Sequence, residues 1–121
     1  MTDPNEFARR YVRLWHEPDP VVRREGIAAM FAPDARHFTP WQVVCGHEEL
    51  EARIGGAYER WVAPGEYLFR AAPHADGHHG TVRFGWEMVE RASGAVVSVG
   101  FDFVVFTEDG LIRSDHQFLD F

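Results

Sequence analysis

The sequence predicts an α+β fold, a cone-shaped α+β barrel in which three N-terminal helices pack on a strongly curved antiparallel sheet. Helical patterns bounded by proline and glycine fill the first half of the 121-residue chain, and strand-like runs separated by turn signals fill the second half. The chain also carries 10 Phe and 4 Trp, a high aromatic content for one small domain. We therefore expect the sheet to enclose a pocket for a small apolar molecule.

The first two helices share a start signal. Asp3 and Asp19 can each cap a helix, and each precedes a proline that suits the first helical position. The first helix then presents one apolar stripe, formed by Phe7, Tyr11, Leu14 and Trp15. We expect Pro18 to end the first helix and Pro33 to end the second, because proline cannot continue a helix.

A strand over residues 35–43 and a third helix follow in the predicted order. Side chains alternate along a strand, so one face of it should carry His37, Thr39 and Trp41. Apolar residues at helical spacing then predict a third helix between Gly46 and Pro64.

Turn signals divide the second half of the chain into four strands of an antiparallel meander. They lie at Asp76-Gly77, Ser93-Gly94 and Asp109-Gly110. The chain contains no internal repeat and no low-complexity linker, and its length is typical of one domain. We therefore expect residues 1–121 to form a single domain.

The strand over residues 95–107 is unusual because both of its faces are largely apolar. One face carries Val97, Val99, Phe101, Phe103 and Val105, and the other carries Val96, Ser98, Asp102, Val104 and Phe106. In a domain this small the helices can cover only one face. We therefore expect the other face to pair with a second copy, which predicts a homodimer through the sheet face.

Composition excludes several classes of function. With 12 basic and 19 acidic residues the net charge is −7, which argues against a nucleic-acid partner. The longest apolar stretch, 96–106, is too short to span a membrane, and the N-terminus lacks a secretory signal pattern. Cys45 is the single cysteine, so no intramolecular disulfide can form, which suits a cytoplasmic location; we expect Cys45 to be buried.

No motif indicates a cofactor or a metal. The chain lacks a GxSxG elbow, a phosphate-binding loop and a dinucleotide fingerprint, so we expect chemistry without a cofactor. His74, His78 and His79 could suggest zinc, but their spacing around a predicted turn is more typical of a solvated hairpin tip. We therefore predict no metal site.

The order of elements, together with the segments RYVRLWHEPD, MFAPDARHFTPW and GHEEL, resembles the nuclear transport factor 2-like superfamily. Within it, the chain is similar to the SnoaL-like polyketide cyclase and steroid delta-isomerase group. The resemblance covers nearly the whole chain and implies a cone whose mouth binds hydrophobic small molecules and which usually pairs through its sheet. Members of this superfamily include enzymes and modules without turnover.

Comparison with the steroid isomerases implies an oxyanion hole formed by Tyr11 and a neutral Asp102, a carboxylic acid that an apolar site keeps protonated. Thr39 stands where that group has its proton-shuttling Asp, so the expected base is missing. Limonene epoxide hydrolases, another branch, need an Arg and a second Asp where this chain has Gly100 and Gln117, so their water-activating pair is absent.

The residues themselves also indicate a site. A carboxyl group at Asp102, among apolar neighbours in mid-strand, should be desolvated and its pKa raised, although it could equally be a structural partner of Tyr11. His37 could replace the missing base, because imidazole exchanges protons near neutrality. The last strand adds Asp115 if the face of Arg113, Asp115, Gln117 and Leu119 looks inward, or His116 if the opposite face does.

The sequence therefore predicts a catalytic set of Asp102, Tyr11, His37 and Asp115. The predicted ligand-binding set is Trp15, Thr39, Trp41, Trp61, Trp86, His116 and Gln117. Two hypotheses remain open. The first is a cofactor-free isomerase, cyclase or dehydratase that moves a proton next to a carbonyl group. The second is a ligand-binding or protein-association module of the same fold without turnover.

Overall fold

In the computed structural model, which describes residues 3–120, three helices pack on a mixed sheet of seven strands. The helices are α1 (Pro4–Leu14), α2 (Pro20–Met30) and α3 (Gly46–Ala57), and a π-helical turn (Tyr58–Val62) extends α3. The strands are β1 (Phe31–Phe38), β2 (Val43–Cys45), β3 (Tyr67–Ala71), β4 (Asp76–His78), β5 (Thr81–Glu90), β6 (Val96–Phe106) and β7 (Ile112–Asp120). None of the helices in residues 3–120 has the length and hydropathy needed to cross a membrane.

The α+β prediction is confirmed, with two differences in the sheet. Its strand order is β2-β1-β7-β6-β5-β3, with β4 also paired to β5. The meander of β3, β5, β6 and β7 is antiparallel as predicted, but β1 and β7 run parallel, so the sheet is mixed. The sheet is also open instead of a closed barrel, because β2 and β3 lie at opposite edges.

The helix caps are the predicted ones. The side chain of Asp3 accepts a hydrogen bond from the backbone N–H of Asn5 at 2.9 Å, and Asp19 accepts one from Val21 at 2.9 Å. The predicted end of α2 at Pro33 is wrong by three residues, because the backbone is already extended at Phe31 (φ −109°, ψ 139°). Pro33 instead lies within β1.

The predicted strand over residues 35–43 is also shifted, because a turn interrupts it after Phe38. The Thr39 N–H donates to the Gln42 carbonyl at 2.9 Å, and the Thr39 hydroxyl oxygen accepts from the N–H groups of Trp41 and Gln42 at 3.3 and 3.2 Å. The chain then returns as β2 and pairs with β1. Thr39 and Trp41 therefore do not share a strand face with His37.

The predicted turn at Asp76-Gly77 lies three residues too early. Both residues belong to β4, and the chain reverses at His79 and Gly80, which have φ of 48° and 75°. Gly77 pairs with Val82, and a Cβ there would lie 2.6 Å from the Thr81 carbonyl oxygen. The glycine at position 77 is thus required by close backbone packing and not by a turn.

A bulge in β7 decides which of its faces looks inward. Ile112 pairs with Phe106 and Ser114 pairs with Val105, so Arg113 is an extra residue. The bulge lets Ile112 and Asp115 both be buried while Arg113 is exposed. Beyond the bulge, the face of β7 that looks inward is therefore the one that carries Asp115 and not the one that carries His116.

Candidate functional site

A pocket of about 250 Å³ lies between α1, the C-terminal half of α3 and the inner face of the sheet. Its walls are mainly aromatic and aliphatic, as is typical of small-molecule sites. They are formed by Tyr11, Val12, Trp15, Trp41, Arg53, Ala57, Trp61, Phe69, Trp86, Met88, Ser98, Gln117 and Leu119. All four tryptophans of the chain are among them, and Trp41, 74% exposed, stands at the rim.

Four buried polar side chains form a hydrogen-bonded cluster behind the pocket wall. The Tyr11 hydroxyl bonds to Asp115 Oδ2 and lies 3.3 Å from Asp102 Oδ2. His37 Nδ1 lies 2.9 Å from Asp115 Oδ2. The indole Nε1 of Trp86 donates to Asp102 Oδ1 at 2.9 Å. All four predicted catalytic residues are therefore in one cluster, and Tyr11 is the one that lines the pocket.

Burial controls the protonation of the two carboxyl groups. Desolvation raises the pKa of Asp102 well above its ordinary value, and the neighbouring Asp115 raises it further. Desolvation also raises the pKa of Asp115, but the neighbouring Asp102 and the hydrogen bond from Tyr11 oppose that rise. Two carboxyl groups in one buried site do not both ionise readily. We therefore assign the proton to Asp102 and the negative charge to Asp115.

This assignment explains the hydrogen bonds of Tyr11. A phenol carries one proton, so Tyr11 cannot donate to both carboxyl groups. Tyr11 donates to Asp115, and the proton on Asp102 donates to the Tyr11 oxygen. Desolvation and the two carboxyl groups raise the pKa of Tyr11 well above its ordinary value, so the phenol keeps its proton at neutral pH.

His37 is neutral in this cluster. Its Nδ1 is close enough to Asp115 for an ion pair, but desolvation lowers the pKa of His37 to about 4, despite the opposing effect of Asp102. The Nδ1–H group therefore donates to Asp115 as a neutral imidazole. Its Nε2 is buried and has no hydrogen-bond partner among residues 3–120.

Gly100 makes room for Trp86. The two residues pair across β5 and β6, and a Cβ on Gly100 would lie 2.3 Å from Trp86 Cζ2 and 2.6 Å from the Phe118 carbonyl oxygen. The absent side chain lets the indole lie across the strand, where its N–H reaches Asp102. Gly100 is thus a positioning residue that sequence reasoning missed.

Arg53 is a second residue that the sequence interpretation missed. It lies on α3, lines the pocket, and its Nη2 donates to Gln117 Oε1 at 3.1 Å. Its guanidinium also lies over the ring of Trp15, 5.0 Å from the ring centre. The signal was present, because Arg53 follows Leu50 by three residues and precedes Ala57 by four, on the inward face of the helix.

Two residues of the predicted ligand-binding set lie away from the pocket wall. Thr39 lies in the turn after β1, and His116 stacks on Phe38 with ring centres 4.4 Å apart. The other five, Trp15, Trp41, Trp61, Trp86 and Gln117, line the pocket. Cys45, expected to be buried, is exposed, because β2 is an edge strand.

The described residues include one group that could hold a metal ion. His37, Asp102 and Asp115 each offer a ligand atom, and these atoms lie within 4.8 Å of one another. Hydrogen bonds to Tyr11 and Trp86, and the bond between His37 and Asp115, already join these three side chains. A proton network accounts for this cluster. His74, His78 and His79 are exposed around the β4–β5 turn.

Comparison with known proteins places the fold in a family. The SnoaL-like domain matches residues 8–114, and no curated protein matches the chain. A candidate isomerase of the SnoaL-like family from Agrobacterium tumefaciens str. C58 has 29% identity and a TM-score of 0.88, with 100% of each chain covered.

More distant structures share the fold alone. A nuclear transport factor 2-like protein of unknown function from Exiguobacterium sp. 255-15 has 17% identity and a TM-score of 0.69, with 92% of this chain and 95% of that chain covered. A candidate polyketide cyclase from Sinorhizobium meliloti has 14% identity and a TM-score of 0.63, with 88% and 91% covered. The chain therefore belongs to the SnoaL-like domain family.

Proposed function

We propose that this protein is a cofactor-independent enzyme that moves a proton next to a carbonyl group of a hydrophobic small molecule, as in isomerisation, cyclisation or dehydration. One observation supports this function above the others. Tyr11 lines the aromatic pocket, and its hydroxyl bonds to two buried carboxyl groups of unequal acidity, Asp102 and Asp115. Buried acids with shifted pKa are common at catalytic sites.

In this mechanism Tyr11 relays the proton. The substrate carbon loses its proton to the Tyr11 oxygen while Tyr11 passes its own proton to ionised Asp115. The electron pair of the broken C–H bond delocalises onto the carbonyl oxygen, so that the substrate becomes an enolate. Asp115 then returns the proton through Tyr11 to another atom of the substrate, which completes the transfer.

The other members of the cluster support the relay. Neutral Asp102 donates to the Tyr11 oxygen, and Trp86 fixes the second oxygen of Asp102. His37 holds Asp115 in place through Nδ1. The positive charge of Arg53 favours the enolate as it forms. His37 is thus a positioning residue here, and Asp115 acts as the base through Tyr11.

The proposal can be tested without the natural substrate. The ketone 2-tetralone is bicyclic and apolar, and its α-protons exchange with D₂O at a rate that proton NMR follows. We expect the wild-type protein to accelerate this exchange over buffer and Tyr11→Phe to lose the acceleration. Tyr67→Phe is the matched control, because the Tyr67 side chain lies outside the pocket wall.

A non-catalytic binding module is the second candidate function. It is favoured by the composition of the wall, because no carboxylate or imidazole among the described residues lines the pocket. The tetralone experiment separates the two functions. Quenching of tryptophan fluorescence by tetralone, with exchange no faster than in buffer, would support the module and contradict the enzyme.

We also propose a homodimer formed through the outer face of β6 and β7. Four apolar side chains there, Val97, Phe101, Phe103 and Phe118, are each between 39% and 50% exposed, and Phe101 stacks on Phe118 with ring centres 4.8 Å apart. Exposed apolar surface of this kind is typical of interfaces. Light scattering should show a dimer at micromolar concentration. The double variant Phe101→Ser/Phe118→Ser should be monomeric, whereas Val21→Ser on α2 should not.

The remaining expectations are part of the same proposal. The SnoaL-like domain match ends at residue 114, and β7 continues to Asp120, so we propose that the chain forms a single domain. An exposed free cysteine at position 45 suits a reducing compartment, and we propose a cytoplasmic location.

A further inference from the structure

Arg53 places a positive charge in an otherwise apolar pocket. Its guanidinium is largely buried between Trp15 and Gln117, and its buried Nε has no hydrogen-bond partner within the part of the chain that the structure describes. Among the described residues, Arg53 makes one side-chain hydrogen bond, to the neutral amide of Gln117, and no ion pair. A buried charge without a counter-ion is costly unless a partner of opposite charge completes the site.

Arg23 shows how this protein satisfies a guanidinium that has a structural role. Arg23 is 3% exposed, and its Nε and Nη2 both donate to the Glu17 carbonyl oxygen, at 3.1 and 2.7 Å. Its Nη1 pairs with Glu51 at 3.0 Å. A Cβ on Gly55 would lie 2.7 Å from that Nη1, so the helix leaves room for the pair. Residues 3–120 provide Arg53 with no comparable set of partners.

The carboxyl groups of Asp102 and Asp115 do not serve as counter-ions for Arg53. Asp102 and Asp115 already bond to Tyr11, His37 and Trp86, and neither lies within ion-pair distance of Arg53. The charge of ionised Asp115 reaches Arg53 only through space. The remaining donors of Arg53 therefore face a pocket in which no described side chain offers them a carboxylate.

We propose that Arg53 and Gln117 form an anion subsite and that the ligand of this pocket is a hydrophobic carboxylic acid, bound as its carboxylate. A guanidinium presents parallel N–H donors that match the two oxygens of a carboxylate. The aromatic walls take the apolar body of the ligand, and Gln117 orients the guanidinium. This inference rests on the proposed function in one respect, namely that the same pocket binds the small molecule.

The test compares two probes that differ in charge but hardly in shape, 2-naphthoate and 2-naphthamide. Quenching of the pocket tryptophans gives the dissociation constant of each. We expect the wild-type protein to bind naphthoate about tenfold more tightly than naphthamide, because a hydrogen bond to a charged group is stronger than one between neutral groups. Arg53→Gln should abolish the preference, and Arg53→Lys should retain part of it.

Arg60→Gln is the matched control. Arg60 belongs to the π-helical turn seven residues beyond Arg53, is exposed, and lies outside this pocket wall. Its removal changes the net charge equally and should leave the preference for naphthoate intact. Circular dichroism confirms folding of each variant, and the comparison of the two probes on wild-type protein stands without any variant.

The outcomes separate this inference from the proposed function. Equal affinity for the two probes in the wild type would overturn the anion subsite while leaving a ligand pocket in place. A preference that survives Arg53→Gln would overturn the role of Arg53. Failure of the wild type to bind either probe would overturn the pocket and the subsite together.

Discussion

The indole of Trp86 lies directly across Gly100, its partner on the neighbouring strand, and from there donates to Asp102. A Cβ at position 100 would lie 2.3 Å from the indole, much closer than two carbon atoms can approach. The smallest residue in β6 therefore determines where the largest residue in β5 places its N–H group. This geometry gives a direct prediction.

Gly100→Ala should displace Trp86 and destabilise the fold by about 1–3 kcal/mol, as overpacking does. Urea denaturation measures the loss, and a red shift of tryptophan fluorescence reports the displaced indole. Gly85→Ala is the matched control, because a Cβ there meets no atom closer than 3.4 Å. Equal stability of the two variants would show that Trp86 does not need the space at Gly100.

Tyr11→Phe should destabilise the protein by about 1–3 kcal/mol, because it removes the donor to Asp115 and leaves buried oxygens without that partner. Chemical denaturation measures the change. In Tyr67→Phe, where the hydroxyl makes no hydrogen bond among the described residues, the change should be small. Similar losses in both variants would mean that the cluster gains little from the hydroxyl at position 11.

Much of the fold could be predicted from local signals. Asp3-Pro4 and Asp19-Pro20 each start a helix, and the meander follows from alternation and turn residues. The parallel pairing of β1 with β7 could not be predicted, because it joins segments more than 70 residues apart and leaves no local pattern. The bulge at Arg113 could not be predicted either, because it depends on how β7 pairs with β6 and leaves no local pattern in the sequence.

The titratable residues of the hydrogen-bonded cluster were predicted from the sequence, but their arrangement was not. Asp102 was identifiable because a carboxyl group among apolar strand residues needs a special environment. The wrong strand boundary then placed Thr39 beside His37, although Thr39 closes a turn. Arg53 was missed because a charge on a helix is usually solvated, although its spacing from Leu50 and Ala57 places it on the inward face, where it lines the aromatic pocket.

His37 should stay neutral through the physiological range. Folding lowers the pKa of His37 from 6.5 to about 4, so between pH 4 and 6.5 the unfolded state binds more protons than the folded state. The contribution of His37 to the free energy of unfolding therefore increases as pH rises from 4 to 6.5. Over these 2.5 pH units the contribution reaches about 3 kcal/mol. Nitrogen NMR of the imidazole should show no titration of His37 between pH 5.5 and 8, with free histidine as the reference. A midpoint near pH 6.5 would instead indicate an ion pair with Asp115.

Asp102→Asn should preserve the fold and become relatively more stable than the wild type as pH rises. The folded-state pKa of Asp102 is raised, so its contribution is complete below the unfolded pKa and is lost as pH rises through the folded pKa. Asn does not titrate, and it can still accept from Trp86 and donate to Tyr11. Urea denaturation of both proteins at pH 4, 6 and 8 measures the difference in unfolding free energy, with exposed Asp34→Asn as the control. A difference that does not grow with pH would mean that Asp102 is ionised in the folded protein, and the proton assigned to it would have to move to Asp115.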